Sequence, residues 1–372
     1  MRLELVATCL FGLERLLGEE IDALGYERIS TIDGRVTFAG DCEAVALSNI
    51  FLRYAERVFI KLGSFRAESF EELFLGVRRL NWADFIGKND AFPVKGHAIK
   101  SKLHSIPDCQ AIIKKAVVRS MSEVYGIEQF AETGVKYQIE FFILNDIATL
   151  MIDTSGIALH KRGYRRESLG APIRETLAAA IVATSRPREN VLLWDPMCGS
   201  GTIAIEAAMM MKNIAPGRGR KFAAEDFAFI DKKIWRDARE EAFDVERTTD
   251  FRAFASDIDT SAVALAEKNV GLAGVSDVVK VFRQDARRIS ADGRRGTIVC
   301  NPPYGERLGT LREAEQLYKE IGVHFRSLSP WQVYIITSHP AFEKFYGKKA
   351  DKVRKLYNGM LPCYLYQYFK NN

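Results

Sequence analysis

The sequence predicts an α/β chain: a doubly wound parallel sheet with a terminal β-hairpin, preceded by a smaller α+β region. Three observations carry this. Beyond residue 175, short apolar runs (NVLLWD, FRAFASD, VVKVFRQD, GTIVC, WQVYIITS) alternate with segments of helical spacing, the rhythm of parallel strands linked by helical crossovers. Before residue 155, short strand-like runs mix with helical segments, and that mix implies an α+β unit with a largely antiparallel sheet. Between the two, GIALHKRGYRRESLGAP is polar, basic and broken by glycine and proline, which marks a join near 156–175.

Taken in order, LELVAT reads as a strand and FGLERLLGEEIDALG as a helix ending at Gly25. TIDGRVTFAG carries an Asp-Gly hairpin turn between alternating residues, and a helix near 41–52 and a strand at 57–62 follow. These elements make a first region over 1–65. A second, over 66–155, reads helix (ESFEELFLGVRRL), strand (PVKGHAIK), helix (PDCQAIIKKAVVRSMSEVYG) and two strands (VKYQIEFFIL, DIATLMIDTS), giving a largely antiparallel sheet. The third region, 156–372, opens on a helix at 172–185. It contains the strand–helix alternation and closes with KVRKLYNG–MLPCYLYQY, a hairpin pattern.

Composition excludes several classes. A chain of 372 residues with 47% hydrophobic and 27% charged residues has the make-up of a soluble globular protein. No apolar run approaches the roughly 18 residues that span a bilayer. LVATCLFGL at 5–13 is followed by Glu14, Arg15, Glu19 and Glu20 where a signal peptide would place small residues, so it is not read as one. The six cysteines are scattered with no C-x-x-C pair, which predicts reduced thiols, a cytoplasmic protein and no zinc site. Five dispersed histidines offer no metal constellation.

The net charge of +5 is a mild lean towards polyanions. Its clustering says more, at HKRGYRR (160–166), GRGRK (217–221), RR (287–288) and KKADKVRK (348–355). Such runs are ordinarily solvated faces. Four of them, two interleaved with glycine or tyrosine, predict a phosphate-contacting surface, for which Lys161, Arg162, Arg165, Arg166, Arg218, Arg220 and Lys221 are the candidates.

Ligands in doubly wound sheets bind at the carboxyl ends of the strands. The first strand delivers DPMCGSGT at 195–202, where Gly199 and Gly201 permit close backbone approach and a helix starts near Thr202. Gly199, Gly201 and Ala204 satisfy a loose dinucleotide pattern. However, Asp195 would face a pyrophosphate, and the next strand-end acid, Asp257, lies far beyond the roughly 20 residues the fingerprint requires. With Asp285 as a third strand-end acid, the set suits a cationic ligand rich in donors. S-adenosylmethionine fits, its ammonium meeting Asp195, its ribose diol Asp257 and its adenine amino group Asp285. The alternative is that each acid caps a helix.

The fourth strand delivers NPPY at 301–304. The prolines end the strand and hold Asn301 and Tyr304 at a rigid corner. The Asn301 side-chain oxygen and the Pro302 carbonyl can accept from an exocyclic amino group. That draws the nitrogen towards tetrahedral geometry and aims its lone pair at a sulfonium methyl. Tyr304 can stack on the base, a contact worth about 1–3 kcal/mol, once the base is flipped out of any duplex.

Together, DPMCGSGT at 195–202, SDID at 256–259, QDA at 284–286 and NPPYGERL at 301–308 resemble the THUMP-containing methyltransferases. Within that group the chain looks like the bacterial guanine-N2 methyltransferases of large-subunit ribosomal RNA. LHKRGYR at 159–165 and APIRETLAA at 171–179 match the same group. The resemblance implies an N-terminal ferredoxin-like part, a THUMP RNA-binding domain to about 155, and a class I (Rossmann-like) methyltransferase domain. It implies S-adenosyl-L-methionine as cofactor, held by Asp195, Pro196, Cys198, Gly199, Gly201, Thr202, Asp257, Ile258, Asp285, Ala286 and Asn301, with Asn301, Pro302 and Tyr304 catalytic. The implied partner is RNA, 23S rRNA in the first instance. A tRNA guanine-N2 or adenine-N6 enzyme shares the chemistry, and a non-catalytic THUMP RNA-binding protein is the alternative of another class. The 212–248 segment interrupts the βαβ spacing. By position it is expected to overhang the cofactor face or to lie as a peripheral helix.

Overall fold

The computed structural model describes residues 1–165, 167, 172–304 and 310–369. Two seven-stranded sheets organise it. The N-terminal sheet runs in the order β2 (Arg28–Ile32), β3 (Arg35–Gly40), β1 (Leu3–Cys9), β4 (Ala55–Arg66), β7 (Ile147–Asp153), β6 (Ile139–Leu144) and β5 (Val94–Ile99). All pairs are antiparallel except β5 with β6. The β2–β3 turn is Asp33-Gly34, with Gly34 in the left-handed region at φ 75° as an Asp-Gly hairpin requires.

The twelve-residue β4 is longer than the strand predicted at 57–62. It pairs with β1 on one side and β7 on the other, so the regions before and after residue 65 share one continuous sheet. The helices α1 (Glu14–Ala23), α2 (Cys42–Phe51), α3 (Phe70–Arg78) and α4 (Ile106–Tyr125) contribute buried side chains such as Leu17, Val45, Leu73 and Ile113 to the core.

The C-terminal sheet has the order β10 (Val279–Arg283), β9 (Ala253–Asp257), β8 (Leu192–Asp195), β11 (Gly296–Cys300), β12 (Gln332–Thr337), β14 (Leu361–Tyr368) and β13 (Lys352–Asn358). The first five strands are parallel, and the terminal hairpin joins antiparallel through β14. Both faces are apolar. Leu193, Val299, Tyr334 and Ile336 face a core that includes α5 (Glu175–Ser185), α6 (Thr202–Met211) and α8 (Thr260–Ala273). Their neighbours Leu192, Trp194, Ile298, Val333 and Ile335 face a second core with α9 (Leu311–Ser327) and α10 (Phe342–Tyr346). This two-sided burial is why the strands read as continuous apolar runs.

The 212–248 segment does not lie where its sequence position suggested. Its helix α7 (Lys232–Asp244) packs on α2 of the N-terminal region. Tyr137 stacks on Phe227 at 4.2 Å, and Phe85 meets Phe229 edge-on at 5.3 Å. Phe222, Phe227 and Trp235 are buried, so the segment fastens the two sheets through the first core, which runs through all three regions. Among the described residues no helix is long and apolar enough to cross a membrane, and Cys9, Cys42, Cys109, Cys198 and Cys300 form no disulfide.

Candidate active site

Neighbouring strands β8, β9 and β11 bring Asp195, Asp257 and Asn301 to the same carboxyl edge. Asp195 is 1% exposed and accepts one bond, from the Met197 N–H at 3.3 Å. Burial drives its carboxyl well above the usual range; the Met197 bond opposes this and the Asp257 charge adds to it. Asp257 accepts from the Gly199 N–H at 2.9 Å and the Asp259 N–H at 3.1 Å. The turn between is held by Cys198 N–H to Ser256 O at 2.9 Å and Gly201 N–H to Cys198 O at 2.8 Å.

Gly199 (φ 50°) and Gly201 (φ 80°) occupy the left-handed region that this turn needs. Among the described residues a Cβ on Gly199 would meet nothing within 4 Å, so they leave open space beside the turn. One on Gly201 would come 3.2 Å from Ala266 Cβ, which packs α6 against α8. A space bordered by two carboxylates suits a ligand with a positive centre and hydroxyl donors. It repels a pyrophosphate. Pro196 and the Cys198 thiol are buried beside it, with the thiol raised well above its ordinary pKa, first by burial and then by Asp195 and Asp257. Ile258 follows Asp257 and is exposed.

Asp285 departs from the expected role. Its carboxylate caps the Arg287 N–H at 2.9 Å and takes the Arg287 guanidinium at 2.6–3.0 Å, which holds its pKa below the ordinary value. Its acceptors are thus occupied by a local pair, the helix-capping alternative, while Ala286 is buried beneath.

At the end of β11, the Tyr304 hydroxyl donates to Asn301 Oδ1 and its half-buried ring packs against the first core. The Tyr318 hydroxyl donates to the Pro303 carbonyl at 2.7 Å, fixing the corner, and Pro302 is buried. Instead of a freely presented stacking ring, the structure has a tyrosine that holds the asparagine amide. An amide oxygen has two lone pairs, so one remains for a substrate N–H. Residues 305–308, the GERL extension, lie outside the described residues.

The basic clusters divide. Arg162 is buried, donating to the carbonyls of Leu159 (2.7 Å) and Arg53. Arg165 donates to Ile173 O and Thr202 Oγ1 and pairs with Glu175 at 2.9 Å. Arg220 donates to the carbonyls of Ile157, Ala158 and Leu159; burial, with Arg162 and Arg57 nearby, lowers its pKa to about 10. Arg218 pairs with Glu246. These four are internal staples, a correction to the phosphate-contact expectation. Each guanidinium has at least one partner distant in sequence, so the basic run gives no sign of it. Lys161 and Lys221 are exposed, the latter paired with Asp226 at 2.8 Å; Arg166 lies outside the described residues.

Arg220→Ala is therefore expected to cost about 2–3 kcal/mol of stability. Lys221→Ala should stay within about 0.5 kcal/mol of the parent. Urea unfolding of both variants checks the division.

Sequence reading missed Glu206, which is wholly buried in α6 and accepts from the Tyr164 hydroxyl at 2.9 Å. Arg162 Nε lies 3.6 Å and Arg53 Nη1 4.0 Å from its carboxylate. The available signal was one charge inside the apolar run TIAIEAAMMM. Glu56 was missed too; it gathers Arg174 and Thr176, both at 2.6 Å, and His160 at 2.9 Å, binding the join to β4.

The sheet order, the glycine turn and the strand-end Asn-Pro-Pro-Tyr corner define a methyltransferase fold and site. Residues 162–367 match the RMKL-like methyltransferase domain, 67–153 the THUMP domain and 4–59 the RlmL ferredoxin-like domain. The chain belongs to the RMKL-like methyltransferase family. It is 44% identical over 371 residues to YpsC of Bacillus subtilis (strain 168), covering 98% of this chain and 95% of that one. It is 32% identical to ribosomal RNA large subunit methyltransferase K/L of Psychromonas ingrahamii (strain DSM 17664 / CCUG 51855 / 37), covering 96% of this chain but 49% of that protein, so it spans about half of that relative. Among solved structures, SMU.472 complexed with SAH superposes with a TM-score of 0.93 at 40% identity, covering 100% of this chain and 99% of that one.

Proposed function

We propose that the chain methylates the exocyclic 2-amino group of guanine in RNA, with 23S rRNA as substrate and S-adenosylmethionine as methyl donor. The observation that carries this is the pair of carboxylates, Asp195 and Asp257, bordering the open space at Gly199, with the Asn301 amide on the next strand. The SAH held by SMU.472, the RNA methyltransferase in YpsC's name and the ribosomal RNA in the name of the K/L enzyme support the cofactor and substrate class. The cofactor residues are Asp195, Pro196, Cys198, Gly199, Gly201, Thr202, Asp257, Ile258 and Ala286. Asp195 would take the ammonium and Asp257 the ribose hydroxyls.

When bound, S-adenosylmethionine supplies a sulfonium methyl: the nitrogen–carbon bond forms as the carbon–sulfur bond breaks, and the nitrogen's proton leaves to water. Asn301 Oδ1 and the Pro302 carbonyl accept from the amino N–H groups and localise the nitrogen lone pair. Tyr304 keeps the Asn301 amide facing the nucleobase. Nucleoside mass mapping of rRNA and tRNA from cells with and without the protein tests the reading. It predicts loss of one N2-methylguanine from 23S rRNA, and loss from tRNA alone would overturn the substrate assignment.

Asp257→Ala is expected to weaken S-adenosylmethionine binding about 10- to 100-fold, because the ribose hydroxyls lose a charged acceptor and the Gly199 N–H loses its partner. Calorimetric titration checks this. Saturating cofactor at about 100 Kd should add about 2.7 kcal/mol of stability, and NAD should add none.

A further inference from the structure

A second concave surface lies at the opposite edge of the C-terminal sheet. It is a groove of about 700 Å³ at the amino ends of β11 and β12, bordered by α1, the end of α5 and the terminal hairpin. Among the described residues six cations line it: Arg15, Arg186, Arg188, Arg295, Lys352 and Arg354. Among the described residues the only acid lining it is Glu19, which is already paired with Arg15 at 2.7 Å. Among the described residues the side chains of the other five cations have no hydrogen-bond or ion-pair partner.

A second observation points to an anion. Gln367, 3% exposed, lines the groove with its Nε2 donor unpartnered, and the Arg354 Nε beside it is likewise buried without an acceptor. Proteins rarely leave buried donors unpaired, and two such donors in the wall of one cationic groove call for acceptor oxygens. Arg162 Nε and Arg53 Nη1 are also buried without an acceptor, but each of those guanidiniums bonds a backbone carbonyl through another nitrogen. Among the described residues that of Arg354 bonds none.

We infer that this groove holds the phosphodiester backbone of RNA at a point remote from the target nucleotide. The inference rests on the RNA-methyltransferase reading and adds a second contact surface to it. The cations come from separate elements (α1, the loop after α5, the start of β11 and edge strand β13), so a single phosphate cannot reach them all, whereas a run of phosphates can. β11 carries the groove at Gly296 and Asn301 just past its other end. Five strand residues span roughly 16 Å, so an RNA chain passing over this edge reaches both. The groove acts on substrate capture and leaves the chemical step alone.

The test is a full-length triple variant, Arg188→Glu/Arg295→Glu/Lys352→Glu, with the glutamine version of the same three positions as a folding control. Arg186 is left in place because its φ of 53° serves the end of α5. The probes are poly(U), which reports backbone binding without sequence, a 23S rRNA fragment and inorganic tripolyphosphate. We expect poly(U) affinity to fall at least about 10-fold at ~0.1 M salt, with the slope of log affinity against log salt shallower by about 2, near 0.7 per lost single-strand contact. S-adenosylmethionine affinity and melting temperature should be retained. With the rRNA fragment, KM should rise and single-turnover rate at saturation should hold.

Gln367→Leu should lower poly(U) affinity while leaving stability equal or higher, since it removes an unpaired buried donor. Unchanged poly(U) affinity and slope in the folded triple variant would overturn the groove assignment. One-to-one tripolyphosphate binding without any change towards RNA would overturn it in favour of a small-anion site. Loss of poly(U) binding in a protein that methylates no guanine in 23S rRNA would leave the groove standing and remove the substrate reading instead.

Discussion

Glu206→Ala is expected to destabilise the folded chain by about 3–5 kcal/mol, because it leaves buried guanidiniums without their carboxylate. Glu206 sits in α6 directly behind the glycine turn. Arg162 reaches it from the join and Arg53 from the end of α2, so one carboxylate compensates cations from different parts of the chain. The side chains are between 0% and 9% exposed, which removes the solvent screening that makes surface pairs weak. Neither arginine can swing out. Arg162 also donates to the carbonyls of Leu159 and Arg53, and Arg53 to that of Ile214 at 2.9 Å. Glu206→Gln keeps the volume and an acceptor for Tyr164 while losing the charge, so it should fall between parent and alanine. The double variant Glu206→Met/Arg162→Met should cost less than the two single changes summed, since an apolar pair replaces a charged one. Urea unfolding of the four proteins closes the cycle. A cost below about 1 kcal/mol for Glu206→Ala would show that the apolar contacts alone join the regions.

That network also marks where sequence reading stopped. The strands and most helices were legible because burial on both faces gives continuous apolar runs, and the helices repeat at their own period. The carboxyl-edge acids were legible because strand ends can be counted. What could not be read was the direction of individual cations. HKRGYRR looks like a solvated face, but Arg162 and Arg165 turn inward to partners at 53, 175, 202 and 206. Asp285 was placed correctly at its strand end and still spends its oxygens on Arg287, a competition visible in the spacing D-A-R only once the turn is known. The 212–248 segment carried a usable signal in Phe222, Phe227 and Trp235, aromatic residues that a peripheral helix would not bury.

Asn301→Ala is expected to lose at least about 100-fold in turnover while keeping cofactor affinity nearly unchanged. The amide oxygen interacts most strongly once the attacking nitrogen has become tetrahedral and its N–H groups more acidic. It therefore lowers the barrier more than it holds the ground state. Removing one positioned polar group of this kind elsewhere costs about 2.7–4 kcal/mol of barrier. The structure adds a second arm. The Tyr304 hydroxyl donates to Asn301 Oδ1, so Tyr304→Phe should let the amide rotate and lose roughly one hydrogen bond's worth of orientation, about 3- to 10-fold in rate. Tyr304→Ala should lose more, since the ring also packs on the core. Asn301→Asp keeps an acceptor for both Tyr304 and the amino group but adds a charge, and should retain partial activity. Single-turnover methyl transfer to rRNA, with cofactor affinity measured separately, reads all four. If Asn301→Ala turned over at near the parent rate, the corner would be a rigid turn only.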